Sequence, residues 1–335
     1  MTPAPSWTAD DVPDQTGRIA IVTGGNSGIG LETVRALVKK GAKVYIAARR
    51  EGAAHDFIES LKAAHKPGYG SADFIALDLA SFRSIENFVM EFKRREQRLD
   101  LLFNNAGLII PGGDKQVTKE GYEIHFGVNA LGVHYLTTLL IPLLQSSGKM
   151  YPGRPARVCF TSSIGHHAAP KCGFDPADPS SANARFAILP GYMRAYANSK
   201  MANILSARKL NRMYSKDNII INACNPGNLK TNISRDAKGV FNFLLKTIIE
   251  PYLLYSPELG SLSQLYANTS AEGEKEGGQY FVPWARKGRT AKSAEDIEVQ
   301  DRGVFKSLTQ PVSGMTIRSL STLAPLSSRS PDPLD

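Results

Sequence analysis

The sequence predicts an α/β chain built on a doubly wound parallel sheet, and three observations carry that prediction. β-rich apolar runs alternate with helix-period segments from Arg18 onward, the pattern of parallel strands joined by crossover helices. Several strand candidates are apolar on consecutive rather than alternate positions, as strands covered on both faces must be. The first strand candidate runs straight into a glycine-rich loop, "TGGNSGIG" at 23–30, and then into a helical segment.

Taken in order, the seven strand candidates are "RIAIVT" (18–23), "KVYIAA" (43–48), "ADFIALD" (72–78), "LDLLF" (99–103), "ARVCFTS" (156–162), "IIINAC" (219–224) and "GQYFV" (278–282). Helical periodicity falls between them near 28–40, 52–65, 81–96, 119–146, 191–214 and 257–270. One domain over 16–285 follows, preceded by a polar leader, 1–15, and followed by an extension, 286–335. Two stretches break the alternation. Residues 228–256 include "VFNFLLKTIIEPYLLY", apolar and aromatic without strand alternation, and read as a short lid. The last thirty residues, from Lys306, hold seven Ser and four Pro and are expected to be disordered.

Bulk properties narrow the partners. Net charge is +9 and the pI about 9.4, a balance that suits nucleic acid, a membrane surface or an anionic small molecule. The densest basic cluster, "FKRREQR" at 92–98, is broken by acidic and polar residues like a solvated helix face, so no nucleic-acid partner is expected. No apolar run of about 18 residues is visible for a membrane span. Cys159, Cys172 and Cys224 lack metal-ligand spacing, and the first and last of these lie in strand-like runs as small buried hydrophobes. The sequons at Asn232 and Asn268 read as chance matches. The leader has neither a signal-peptide core nor an arginine-rich amphipathic pattern, so the chain reads as cytoplasmic.

The glycine loop carries the first chemistry. Gly24, Gly28 and Gly30 allow a tight turn, close approach of backbone to a pyrophosphate and close helix–strand packing. With Asn26, Ser27 and Ile29 they lead into a helix whose first N–H groups and dipole attract phosphate. The second strand ends "YIAARRE", with Arg49 where an NAD-preferring site carries an acidic residue. A guanidinium there suits a 2′-phosphate, which points to NADP(H). "YANSK" at 196–200 sets Tyr196 and Lys200 on one helix face, a spacing that settles nothing alone.

Joined by "LDL" at 77–79, "NNAG" at 104–107, "VNALG" around Asn129, "TSS" at 161–163 and "NPGNLKT" at 225–231, these motifs occur in an order that resembles the short-chain dehydrogenase/reductase family. The resemblance covers roughly residues 15–285, and "SSIGHH" and "SKMANIL" are most similar to its retinol-dehydrogenase-like branch, which includes soluble fungal reductases with a comparable polar leader. It implies a single Rossmann domain with a seven-stranded sheet and an NADP(H)-dependent enzyme. Tyr196 would be the general acid/base and Lys200 its partner, with Ser163 on the substrate oxygen and Asn129 holding a proton-relay water. A free tyrosine has a pKa of about 10, so the Lys200 cation together with the nicotinamide's positive charge is expected to lower it. Asp78 and Leu79 would contact adenine, and Asn105, Ala106 and Gly107 the adenosine side. Pro226 and Gly227 would pack on nicotinamide, and Thr231 would steady its carboxamide or phosphate. Ser162 competes with Ser163, and the family pattern favours the second serine.

His166 and His167 read as loop residues, since adjacent positions do not easily share a ligand and no acidic cluster surrounds them. Ser163 lies 33 residues before Tyr196, so the intervening excursion borders the substrate. The apolar lid points to a hydrophobic ketone or aldehyde, with roles in secondary, lipid or retinoid-type metabolism all compatible. A homodimer through the long helices is compatible with the resemblance. Two other classes compete: a catalytically inactive dinucleotide sensor, which would not need all four catalytic residues, and a nucleotide-sugar epimerase or dehydratase, which would need a larger C-terminal domain.

Overall fold

The computed structural model describes residues 5–112, 116–170, 188–227 and 255–301. Its elements run β1 (Ile19–Thr23), α1 (Gly28–Lys39), β2 (Lys43–Ala48), α2 (Glu51–Ala63), β3 (Ser71–Ala76), α3 (Phe82–Arg95) and β4 (Leu101–Asn104). They continue with α4 (Ile124–Met150), β5 (Ala156–Thr161), α5 (Gly191–Tyr214), β6 (Ile219–Cys224), α6 (Pro257–Thr269), β7 (Tyr280–Val282) and β8 (Arg286–Lys287).

β1 is buried at every position. Ile19 and Ile21 pack into one helical layer, while Ala20 and Val22 meet Val34, Leu37 and Val38 of α1 on the opposite face, as the period-two alternation of a strand requires. In α4, Leu136, Leu140 and Leu144 recur every fourth residue and are all fully buried. Each such side chain contributes about 1.5–3 kcal/mol by leaving water. Among the described residues α4 alone is long and apolar enough to cross a membrane, but 89% of its most apolar window is buried inside the fold.

The sheet order is β3-β2-β1-β4-β5-β6-β7-β8. β1 to β7 pair in parallel. Strand order reverses between β1 and β4, which opens a crevice at the carboxyl ends of the strands, where ligands bind in such sheets.

Two expectations need correction. The sheet has eight strands rather than seven, because β8 turns back antiparallel on β7 through Phe281↔Lys287 and Val282↔Arg286. β8 is only two exposed residues long, so it carries no apolar signature. The helix expected over 119–146 starts at Ile124 and reaches Met150; the preceding residues instead form a turn closed by a bridge between Val117 and Glu123. The described part of the leader packs on the domain. Val12 is buried against α1, and Trp7 meets Tyr266 edge-on at 5.3 Å. The extension likewise packs: Ala294 and Val299 are buried, and Arg212 pairs with Asp301 at 2.9 Å. The expected lid, except its last two residues, and the Ser/Pro-rich tail lie outside the described residues.

Candidate active site

The crevice is built first from backbone. Gly24 sits at φ +66° and Gly28 at φ +53°, in the left-handed region that only glycine enters freely. Gly30 is needed for space: a Cβ there would strike the Gly24 carbonyl oxygen and come within 2.7 Å of Asn105 Nδ2. Asn105 Nδ2 in turn donates to the Thr23 carbonyl at 2.8 Å, and the Ala106 N–H donates to Thr23 Oγ1 at 2.9 Å. The glycine loop and "NNAG" are thus one interlocked unit. Asn26 Nδ2 ties that unit to the Arg50 carbonyl at 3.2 Å.

Ser27 caps α1 in an extended conformation without a side-chain hydrogen bond, and Ile29 is half-buried in the first turn. The helix start is therefore free to face an anion. Arg49 and Arg50 are exposed, and neither has an ion-pair partner among the described residues. A cradle with no room for a Cβ at Gly30 and an open helix N-terminus together fit a dinucleotide. Asp78 is half-buried and accepts from the Ala80 N–H at 3.0 Å. Leu79 is only 5% exposed and belongs to the core, so its backbone rather than its side chain faces any ligand.

The second part is built from side chains. Asn129 lies in a π-helical segment of α4, Gly127–Gly132, the kind of bulge that marks functional positions. Its Oδ1 accepts from the Leu108 N–H at 2.8 Å and its Nδ2 donates to the Leu108 carbonyl at 2.8 Å. The same Nδ2 donates to Ser199 Oγ at 3.1 Å, and Ser199 Oγ donates to the Tyr196 carbonyl at 2.7 Å. Asn129 therefore joins the strand-end loop to the helix bearing Tyr196. A Cβ at Gly107 would lie 3.0 Å from Lys200 Nζ and 3.3 Å from Asn129 Oδ1, so this exposed glycine leaves an opening over both.

Tyr196 and Lys200 share a face of α5, with the Lys200 ammonium 5.6 Å from the Tyr196 ring centroid. Lys200 is 4% exposed and donates to the Thr161 carbonyl at 3.0 Å. Burial pulls its pKa down to about 8. The Tyr196 hydroxyl is hydrogen-bonded to Ser163, an influence that lowers its pKa, but burial outweighs it and the net direction is upward. The Lys200 ammonium lies over the ring and donates to a main-chain carbonyl.

The two serines separate cleanly. Ser162 is buried and its Oγ donates to the Lys200 carbonyl at 2.7 Å. Ser163 is half-buried, accepts from the Gly165 N–H at 3.1 Å and meets Tyr196. Gly165 is a site residue that the motif reading missed: a Cβ there would lie 3.5 Å from both Ser163 Oγ and Tyr196 Cε1. Its signal was present in "SSIGHH", but only the fold shows what the missing side chain leaves room for.

Pro226 is buried, while Gly227 is half-buried at φ +89° beside Pro283 and Trp284. Thr231 and Cys172 lie outside the described residues. Cys159 and Cys224 are buried free thiols. Asn268 is fully buried and donates to the Leu102 carbonyl at 3.0 Å, so it is no glycan acceptor. Among the described residues no cluster of three His, Cys, Asp or Glu side chains could hold a metal. His166 is no loop residue in the loose sense, being fully buried and bonded at both ring nitrogens.

A family model for short chain dehydrogenases matches residues 18–171. A short-chain dehydrogenase/reductase of Armillaria gallica is 40% identical over 298 residues, 89% of this chain and 91% of its own. The polyprenol dehydrogenase of Mus musculus is 35% identical over 293 residues, 87% of this chain and 83% of its own. Among solved structures, the Pseudomonas aeruginosa RhlG/NADP active-site complex aligns with a TM-score of 0.62 at 26% identity, covering 81% of this chain and 96% of that one. With the ordered motifs gathered at one crevice and relatives matched over nearly their whole length, this chain belongs to the short-chain dehydrogenase/reductase family of nicotinamide-dinucleotide oxidoreductases.

Proposed function

We propose that this protein is an NADP(H)-dependent oxidoreductase that interconverts a carbonyl and an alcohol on a hydrophobic small molecule. The observation that carries the reading is the Ser163–Tyr196 hydroxyl pair beside Lys200 and Asn129, at the mouth of a cradle flanked by the exposed Arg49. When bound, the dinucleotide supplies the hydride for reduction or accepts it in oxidation. Gly24 to Gly30 would hold its pyrophosphate, Arg49 its 2′-phosphate and Lys200 its nicotinamide ribose.

The residues of the chain then divide the proton work. Ser163 Oγ donates a hydrogen bond to the substrate oxygen and orients it against Tyr196. Tyr196 gives that oxygen its phenolic proton in reduction and takes it back in oxidation. Burial holds the phenol protonated, which suits it to the acid role. Lys200, cationic below about pH 8, faces the ring and stabilises charge left on the phenol oxygen. Asn129 fixes the Leu108 backbone and the Tyr196 turn together, so that donor and acceptor keep their geometry.

Apolar surface supports the substrate class. Ile164, next to Ser163, is 54% exposed, and Ile188, just before α5, is 92% exposed. The Mus musculus relative is named for a polyprenol, an apolar alcohol. The test is a panel of apolar ketones, aldehydes and alcohols run with NADPH and with NADH, followed by nicotinamide absorbance. Turnover of an apolar carbonyl with NADPH is expected. Dinucleotide binding with no turnover across the panel would favour the inactive sensor.

A further inference from the structure

His166 follows Ser163 by three residues and is fully buried, yet the chemistry proposed above does not use it. Its Nε2 accepts from the Ala291 N–H at 3.1 Å. That nitrogen therefore carries no proton, and the neutral ring holds its hydrogen on Nδ1. Nδ1–H then donates to the Ser163 carbonyl at 2.6 Å. The same carbonyl receives the His166 main-chain N–H at 3.2 Å and the Tyr280 hydroxyl at 3.4 Å. Burial lowers the His166 pKa to about 4, which keeps the ring in this neutral form near pH 7.

Ala291 belongs to the C-terminal extension, beyond the last strand of the sheet. It begins a turn whose Ala294 is fully buried and whose Ala294 carbonyl accepts from Gln300 Nε2 at 2.9 Å. The ring of His166 is thus a rod between a packed terminal segment and the main chain of the serine that meets Tyr196.

We propose that His166 is a positioning residue: as its Nδ1–H tautomer it ties the Ser163 main chain to Ala291, and so the C-terminal extension holds the Ser163 hydroxyl on Tyr196. The inference rests on Ser163 being the substrate-orienting serine. It gives the extension a part in catalysis through a main-chain hydrogen bond.

Ala291 offers a test that leaves His166 itself intact. Its φ of −59° already suits a proline ring, so Ala291→Pro replaces the N–H donor with a ring carbon pressed toward His166 Nε2 and breaks the latch from its far end. That variant is compared with His166→Ala, which loses both bonds, and with His166→Asn, whose amide can still donate toward the Ser163 carbonyl. Turnover with NADPH, NADPH affinity by fluorescence and melting temperature are measured for each, with Ser163→Ala alongside.

Misplacing a reacting group typically costs about 10–100-fold. Ala291→Pro and His166→Ala are expected to lose turnover on that scale with NADPH affinity within about twofold, and His166→Asn to recover most of it. Turnover unchanged in Ala291→Pro and His166→Ala while Ser163→Ala collapses would overturn the inference and spare the functional reading. Cofactor affinity and turnover falling together with melting temperature would reduce His166 to packing. Normal turnover in Ser163→Ala would overturn both.

Discussion

The two halves of the crevice are made by opposite means. On the β1–α1 side the site is defined by what is missing: Gly24, Gly28 and Gly30 carry no side chains, and the loop is locked by single bonds between side chain and main chain, from Asn105 Nδ2 to the Thr23 carbonyl and from the Ala106 N–H to Thr23 Oγ1. On the β5–α5 side it is defined by buried polar side chains bonded to one another and to main-chain carbonyls, from Asn129 through Ser199 to the Tyr196 carbonyl and from Lys200 to the Thr161 carbonyl. The first half should therefore fail by steric obstruction and the second by lost alignment. A shape-defined half tolerates loss of any one hydrogen bond better than a network-defined half does.

The largest expected effect is steric. Gly30→Val places branched carbon where even a Cβ collides with the Gly24 carbonyl, so NADPH affinity should fall by more than about a hundredfold, roughly the cost of a few kcal/mol. Titration by cofactor fluorescence checks this, and retained binding would show that the loop reshapes itself. Arg49→Asp comes next. Losing one charge-assisted contact costs about 1.5–3 kcal/mol, roughly tenfold or more in NADPH affinity, with little change for NADH. Equal losses with both dinucleotides would remove Arg49 from the 2′-phosphate.

Acid should act on the side-chain half. His134 and His166 are held near pKa 3 and 4 by burial, below their ordinary value near 6.5. The folded state then binds fewer protons than the unfolded chain between those values, so stability is complete above about pH 6.5 and is lost as pH falls toward 4. Denaturant midpoints at pH 7 and pH 5 should differ by about 1–2 kcal/mol per histidine, and replacing both histidines with neutral residues should flatten the dependence. A pH-independent midpoint in the parent would contradict it.

The smallest expected effect concerns Ser162. Its hydroxyl is spent on the Lys200 carbonyl and the Tyr280 hydroxyl, so Ser162→Ala should cost about 1 kcal/mol of stability while turnover stays within a few-fold. A collapse of turnover equal to that of Ser163→Ala would erase the distinction between the serines.

The shape-defined half was the more legible from sequence. Glycines between a strand and a helix announce themselves by spacing, and β1, β2 and β6 are continuous apolar runs whose observed limits match the reading within a residue. Tyr196 and Lys200 were also visible, as a spacing on one helix face. The supports of that pair were not. Ser199 and His166 act through hydrogen bonds to main chain, Gly165 acts through the side chain it lacks, and the latch to Ala291 spans 125 residues; no periodicity encodes such contacts. The π-helical segment around Asn129 was hidden for a related reason, since its apolar neighbours read as ordinary helix. Docking of the leader turns on Trp7 and Val12, two apolar residues too sparse to form a pattern.

The role of Tyr196 is tested most directly by Tyr196→Phe, which removes one oxygen and keeps the ring beside Lys200. Turnover and NADPH affinity are measured on the same preparation with a substrate found in the carbonyl panel. Turnover lower by at least about 10²–10⁴-fold, with NADPH affinity and melting temperature near those of the parent, is the expected result. Near-normal turnover in Tyr196→Phe would contradict the assignment and leave the side-chain half of the crevice a scaffold.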